Sequence, residues 1–353
     1  MLEEIIQRFL PGERIAEIKP YGNGHINTTY RVVLPGRDDS YILQRINTEV
    51  FSDPWGIAET HLKIQEIINR QDSPIKTALL IPTTDGKSLY VDKNGGVWRL
   101  TSFIENSYTV EVVEEEWQAF EAGNAFGRFA RLCDGLDVSS FIEPVKDFHR
   151  LSFRIRQLDE AIERNRAGRL EGVVEIVDFF KDREKKAGII EKISGEGKIP
   201  TRIVHNDTKI NNLLFRGNRA VAVIDLDTAG PGIICYDYGD AVRTIANTAA
   251  EDEQDSDRIG FSFPAFTAFT RGYMGQVKPV LNGYEKRYLY LAPILMTYIM
   301  GIRFLADYLN GDLYYKTLYD KHNLVRSTVQ KKLIERMEEK EYEIIDFLSG
   351  IFR

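Results

Sequence analysis

Ile203-Val-His205-Asn-Asp207-Thr-Lys209-Ile-Asn-Asn212-Leu-Leu-Phe215, followed by Val221-Ala-Val-Ile-Asp225-Leu-Asp227, is the stretch on which the fold turns. Arg202–His205 reads as a short strand. Asn212–Phe215 and Arg219–Ile224 read as a hairpin turned by Gly217-Asn218. An Asp on the loop after a strand can accept a proton from a hydroxyl group. An Asn at the far end of that loop and an Asp at the end of an apolar strand can offer oxygen ligands to a hard cation. The segment from Asn212 to Asp225 is just long enough for the hairpin, which would bring those two ligands together. A blander reading makes Asp207 a turn cap, Asn212 a hairpin residue and His205 a satisfied core histidine. It needs several independent accidents in the right order, whereas one chemistry accounts for the whole run.

That chemistry is phosphoryl transfer. The order His205-x-Asp207-x4-Asn212 and then Asp225 is the layout of a kinase catalytic loop and its metal-binding Asp, which implies ATP and Mg2+. Asp207 is the expected base. Asn212 and Asp225 are the expected Mg2+ ligands. Asp227 faces the same side as Asp225 if the strand continues, so it could touch a second metal or the substrate, or take part in a turn with Thr228. A cation at Lys209 could neutralise charge developing on the transferred group. His205 reads as a structural residue.

Outward from this stretch the chain divides. The first hundred residues carry β-branched and aromatic runs at Ile15–Pro20, Thr29–Leu34, Tyr41–Ile46, Ser88–Val91 and Val97–Ile104, with helical spacing over Ile57–Asn69. The second half is mostly helical: Glu111–Leu132, Leu151–Arg169, Val173–Ile193, Asp257–Met274, Gly283–Leu309 and Val325–Leu348. The expectation is an α+β, two-lobed, protein-kinase-like architecture. Residues 1–105 would form a nucleotide-binding lobe of five strands and a helix. Residues 106–353 would form a helical lobe with the catalytic loop and substrate site.

Composition narrows the class of partner. The 353 residues are 43% hydrophobic and 28% charged, with a net charge of −7, an ordinary globular balance. The acidic total argues against nucleic-acid binding through a global basic field. Two cysteines, Cys133 and Cys235, suit a reducing compartment. The apolar run Tyr288–Ile302 is short for a bilayer span and reads as a buried helix. The expectation is a cytoplasmic protein without a membrane anchor. Its oligomeric state is not legible.

The chain resembles the aminoglycoside phosphotransferase and choline kinase superfamily over most of its length. Within it, YGNGHINTTY (21–30), YILQRIN (41–47), VHNDTKINNLLF (204–215), VIDLDTAGPG (223–232), YDYGDAVR (236–243) and GIRFLADYLNGD (301–312) are similar to N-acetylhexosamine 1-kinases. The family loop after the catalytic Asp is usually HPGN-like. Here it is Thr208-Lys-Ile-Asn211, which points to the sugar-1-kinase branch. The resemblance implies phosphorylation of the anomeric hydroxyl of an N-acetylhexosamine. The alternative is another small alcohol such as choline, homoserine, thiamine or an aminoglycoside.

The resemblance also assigns roles. Gly22, Asn23 and Gly24 would form the loop over the nucleotide, where glycines let backbone N–H groups approach phosphate, with His25 and Asn27 facing sugar or phosphates. Kinases usually place a Lys on the third strand, paired with a helix Glu. Here Gln44, favoured by register, or Arg45 stands there, and Glu59 or Glu66 would be the partner. Arg99–Ile104, including Thr101 and Phe103, would be the hinge whose backbone binds adenine. Asp237 would start a helix and brace the catalytic loop. Asp240, Arg243, Arg303, Asp307 and Tyr314 are substrate-site candidates. A nucleotide-binding module that has lost catalysis is the reading from a different class. Its only support is the missing lysine.

Overall fold

The β-branched runs of the first hundred residues pair into one antiparallel sheet. In the computed structural model, which describes residues 2–22, 26–36, 40–71 and 73–353, the strands are β1 (Glu17–Pro20), β2 (Thr28–Val33), β3 (Ser40–Ile46), β4 (Leu80–Ile81), β5 (Tyr90–Val91) and β6 (Val97–Ser102). Their order is β1-β2-β3-β6-β4, with β5 also on β6. The sheet has six strands, not the five expected, because Leu80–Ile81 is too short to show a period of two.

Strand alternation gives the sheet two different faces. Leu43 pairs with Leu100 and Arg45 with Trp98 on one face. There α1 (Leu2–Phe9) buries Ile5, Ile6 and Phe9 against Val32, Leu43 and Leu100. Gln44 pairs with Arg99 and Ile46 with Val97 on the other. That face carries a second apolar cluster under α2 (Pro54–Arg70), whose first turn is capped by the Asp53 side chain accepting from the Gly56 N–H.

The larger part is helical: α3 (Glu116–Leu132), α4 (Leu151–Arg164), α5 (Val174–Ala187), α6 (Ile189–Gly195), α7 (Ile234–Ile245), α8 (Phe263–Val277), α9 (Gly283–Tyr288), α10 (Ala292–Asn310), α11 (His322–Glu339) and α12 (Glu341–Phe352). The expected helix over Val173–Ile193 is broken at Gly188, and that over Leu151–Arg169 stops at Asn165 in the left-handed region. Helices α3 and α8 pack backbone to backbone. A Cβ on Gly123 would run into the Phe269 carbonyl, and one on Gly272 into the Phe120 carbonyl. The apolar stretch that includes α10 is long and apolar enough to cross a membrane by composition, yet it is mostly buried in the core. Cys133 and Cys235 are buried and unbridged.

An island of short strands sits between the two parts. Strand β7 (Arg202–Val204) pairs with β10 (Gly230–Gly232), and β8 (Leu213–Arg216) with β9 (Arg219–Val223). Two segments of the chain grip the β8–β9 hairpin, the one joining α2 to β4 and the one that follows β6. The Lys76 N–H donates to Val221 O at 2.8 Å, and Tyr108 and Phe215 exchange hydrogen bonds of 2.9 and 2.8 Å. The hairpin that carries the candidate ligands at its ends is thereby fixed at the seam between sheet and helices.

Candidate active site

The loop after β7 is built on hydrogen bonds to buried groups. Asp237, in the first turn of α7, accepts the backbone N–H of His205 and of Asn206, each at 2.8 Å. Thr208 Oγ1 donates to the Asp237 carbonyl at 2.6 Å. His205 Nε2 donates to Ile224 O at 3.0 Å, while its Nδ1 accepts the Asp207 N–H at 3.3 Å, so the ring carries its proton on Nε2. Asn206 holds a left-handed φ of 63°, and its carbonyl accepts from His149 Nε2 at 2.8 Å. Burial pushes the Asp237 carboxyl up to about 6, partly offset by His205 and the two N–H donors.

This scaffold presents Asp207 to the cleft. Asn212 Nδ2 donates to Asp207 Oδ2 at 2.9 Å and to its carbonyl at 2.8 Å, and Lys209 Nζ lies 3.1 Å from Oδ1. Burial opposes ionisation here, but Lys209, His205 and Asn212 together hold the carboxyl below its usual range. Asp207 in turn raises Lys209. The carboxylate is ionised at neutral pH and has a cation beside it.

Asp225 lies two residues beyond β9 at a left-handed φ of 59°. Ile224 N–H donates to Asn212 O at 3.0 Å, which sets the two candidate ligands side by side. Desolvation within the cleft, then repulsion from Asp227 and Asp207, push the Asp225 carboxyl up to about 7. Its side chain is nonetheless exposed on the cleft, so a cation can reach it. No hydrogen bond to that carboxylate is found among the described residues, and Asn212 uses only its NH2 group on Asp207. No group of three or more His, Cys, Asp or Glu side chains forms a metal site among the described residues. A carboxylate and an amide oxygen fit Mg2+, which keeps waters and phosphate oxygens in its remaining positions.

Other expected residues are placed differently. Asp227 was expected near metal, but both its oxygens are taken. Arg99 donates to each, and Asn27 Nδ2 donates to Oδ2 at 2.7 Å. Asn27 is thus a strut to Asp227. Arg45 lies on the α1-covered face beside Trp98, away from the cleft, because it alternates with Gln44. Gln44 faces the cleft but spends its amide on Arg99 Nε and Thr29 Oγ1, at 2.8 and 3.1 Å. Thr101 is buried mid-sheet between Ile42 and Leu80, so its backbone is not a hinge. The Phe103 N–H donates to Ser40 O at 3.0 Å, and no partner is found among the described residues for the N–H of Ile104 or Glu105. The stretch with a donor to spare therefore starts later than expected. Glu59 and Glu66 pair with Lys63 and Arg70 on α2 itself, not with the sheet.

Gly22 takes a left-handed φ of 77° between β1 and β2; Asn23, Gly24 and His25 lie outside the described residues. Asp240 and Arg243 form a buried ion pair at 2.8 Å, extended by Glu251 at 2.9 Å. Arg303 has no carboxylate partner among the described residues. It lies over the rings of Phe148, Tyr314 and Tyr315, 5.2, 6.0 and 5.6 Å from their centroids. Asp307 instead organises a loop, accepting the N–H groups of Leu313, Tyr314 and Tyr315. Sequence reasoning missed Arg99 and His149. An Arg inside the strand Val97-Trp-Arg-Leu-Thr-Ser102 is the one signal that could have exposed the first.

A small antiparallel sheet before a larger helical part, with a loop acid and paired oxygen ligands at the seam, defines a kinase-like fold. Solved structures share it. An aminoglycoside phosphotransferase from Alicyclobacillus acidocaldarius is similar at TM-score 0.66 and 10% identity, over 99% of this chain and 96% of that one. The microcompartment-associated aminopropanol kinase gives 0.59 and 15%, over 97% and 98%. An ethanolamine kinase from Plasmodium vivax gives 0.54 and 14%, over 89% and 82%. Residues 17–270 match the phosphotransferase enzyme family APH, and the chain belongs to that family.

Proposed function

We propose that the protein transfers the γ-phosphoryl group of ATP, with Mg2+, to the anomeric hydroxyl of an N-acetylhexosamine. The observation that carries the phosphotransfer is Asp207, held ionised by Lys209 and Asn212, with Asn212 and Asp225 adjacent. Asp207 orients and deprotonates the acceptor hydroxyl. Lys209 offsets the negative charge that gathers as the phosphoryl group moves. Asn212 and Asp225 would hold Mg2+, which when bound supplies charge neutralisation on the phosphates. Gly22 and the chain that follows it would cover the nucleotide. The unpartnered N–H groups of Ile104 and Glu105 would bind its base, and Gln44 would steady Arg99 beneath the phosphates.

The acceptor reading rests first on the resemblance of the catalytic loop to sugar-1-kinases. The charges around the site agree with it. His149 lies within electrostatic reach of Asp207, Asp240 and Arg303. Asp240 is already paired with Arg243, and Arg303, without a carboxylate partner among the described residues, lies among aromatic rings. Cationic acceptors such as choline or an aminoglycoside call for spare carboxylates. A neutral amidosugar uses donors such as Arg303 and Lys209 instead. ADP release across a panel of hexosamines, amino alcohols and aminoglycosides tests this. Turnover with N-acetylglucosamine or N-acetylgalactosamine is expected, with the product phosphate on C1 by NMR. Turnover with amino alcohols alone overturns the sugar assignment and leaves the phosphotransfer standing.

A further inference from the structure

One deeply buried ion pair at the seam does not belong to the catalytic loop. Arg99 on β6 and Asp227 beyond β9 have side chains 4% and 3% exposed. Each Asp227 oxygen receives a guanidinium donor, Arg99 NH2 reaching Oδ2 at 2.9 Å. The third guanidinium donor, Nε, goes to Gln44 Oε1, and Gln44 passes the network to Thr29. Asn27 adds its NH2 group to Asp227 and accepts the Asn47 N–H at 3.0 Å. Three strands of the sheet thus converge on one carboxylate of the other lobe, and every polar atom named is satisfied.

Stability alone is a poor reason for such a pair. Removing two charges from water offsets most of their attraction, and an apolar pair of similar volume often does as well. Its location is more informative. Asp227 sits in the tight turn Leu226–Thr228 that starts at Asp225, so its carboxylate is the handle of the segment presenting the candidate metal ligand. The other end of the turn is tied to the catalytic loop, where Thr228 Oγ1 donates to His205 O at 2.9 Å. Among the described residues helix α2 supplies no carboxylate to the sheet, since Glu59 and Glu66 pair along the helix. The device that couples sheet to active site in this chain therefore crosses between the lobes.

We propose that Arg99, acting through Asp227, is a positioning residue for the metal-nucleotide site: it holds the turn that carries Asp225 from the sheet side, so that the ligand is set only while the lobes are docked. This rests on the phosphotransfer reading.

The test uses Mn2+ binding to the ATP complex, followed by electron paramagnetic resonance, alongside calorimetric melting. The variants are Arg99→Met, Arg99→Lys and Arg99→Met with Asp227→Leu. Loss of a group that orients a metal ligand weakens metal affinity by about 10–100-fold. The double variant is expected to melt above Arg99→Met, because no charge is left stranded although Asn27 and Gln44 each lose a partner, while its Mn2+ affinity stays in that weakened range. Arg99→Lys keeps the charge but not the two-pronged grip, and should weaken Mn2+ binding without a matching loss of melting temperature. Wild-type Mn2+ affinity in the double variant would make the pair mere glue and overturn the proposal. If the charge-stranding or double variants do not fold, Arg99→Lys decides, and unchanged Mn2+ affinity there overturns it. Wild-type protein that binds no Mn2+–ATP sinks the phosphotransfer reading itself, a result recognisable before any variant is made.

Discussion

Asp207, the proposed base, is held ionised by its neighbours. Lys209 and the Asn212 amide favour the carboxylate over the acid despite a crowded setting. The group can thus take a hydroxyl proton at neutral pH. Asp207→Asn keeps the shape and loses that capacity. General base catalysis contributes about 10²–10⁴-fold, so kcat should fall by that range in steady-state assays. ATP affinity by titration calorimetry should change little, since the role proposed for Asp207 is toward the acceptor and not the nucleotide. Turnover near the wild-type rate would remove Asp207 from the chemistry. Asp225 shows the converse setting: desolvation first, then two nearby carboxylates, push it upward, and a bound cation would oppose that shift.

At the scale of elements, the active loop depends on α7. The Asp237 side chain satisfies two consecutive buried N–H groups that no strand partner reaches. Asp237→Ala strands both donors, and each unsatisfied buried group costs about 1–3 kcal/mol. The variant is expected to lose about 2–6 kcal/mol in urea unfolding and to lose activity as Asp207 loosens. A stability loss well under 1 kcal/mol would show that the loop holds itself. The strand β10 depends on shape in the same way. A Cβ on Gly232 would strike Val204 on β7, so only glycine lets β10 lie against the strand that leads to His205.

At the scale of the molecule, the candidate chemistry is divided between two bodies. The sheet brings Gly22, Gln44 and Arg99, and the helical part brings Asp207, Lys209, Asn212 and Asp225. Their junction includes the β8–β9 hairpin, bonded by the segments at Lys76 and Tyr108, and the Arg99–Asp227 pair. Closure around ligands is the expected way such a site excludes water. X-ray scattering should show a smaller radius of gyration with a non-hydrolysable ATP analogue, Mg2+ and sugar than without them. Superimposable profiles would rule out closure as part of the cycle.

The order of His205, Asp207, Asn212 and Asp225 was readable because a strand, a loop and a hairpin place those residues by local rules. The division into a β-rich start and a helical remainder was readable from periodicity. Arg45 was not, because a strand shows which residues alternate but not which face meets the cleft; the register against β6 settled that. Nor was the fate of Asp227, whose partner Arg99 lies 128 residues away along the chain. Local sequence determines which side chains can do chemistry and how a short segment spaces them. Which of them are left free to do it depends on long-range partners that claim their hydrogen bonds, and those meet only when sheet and helices pack together.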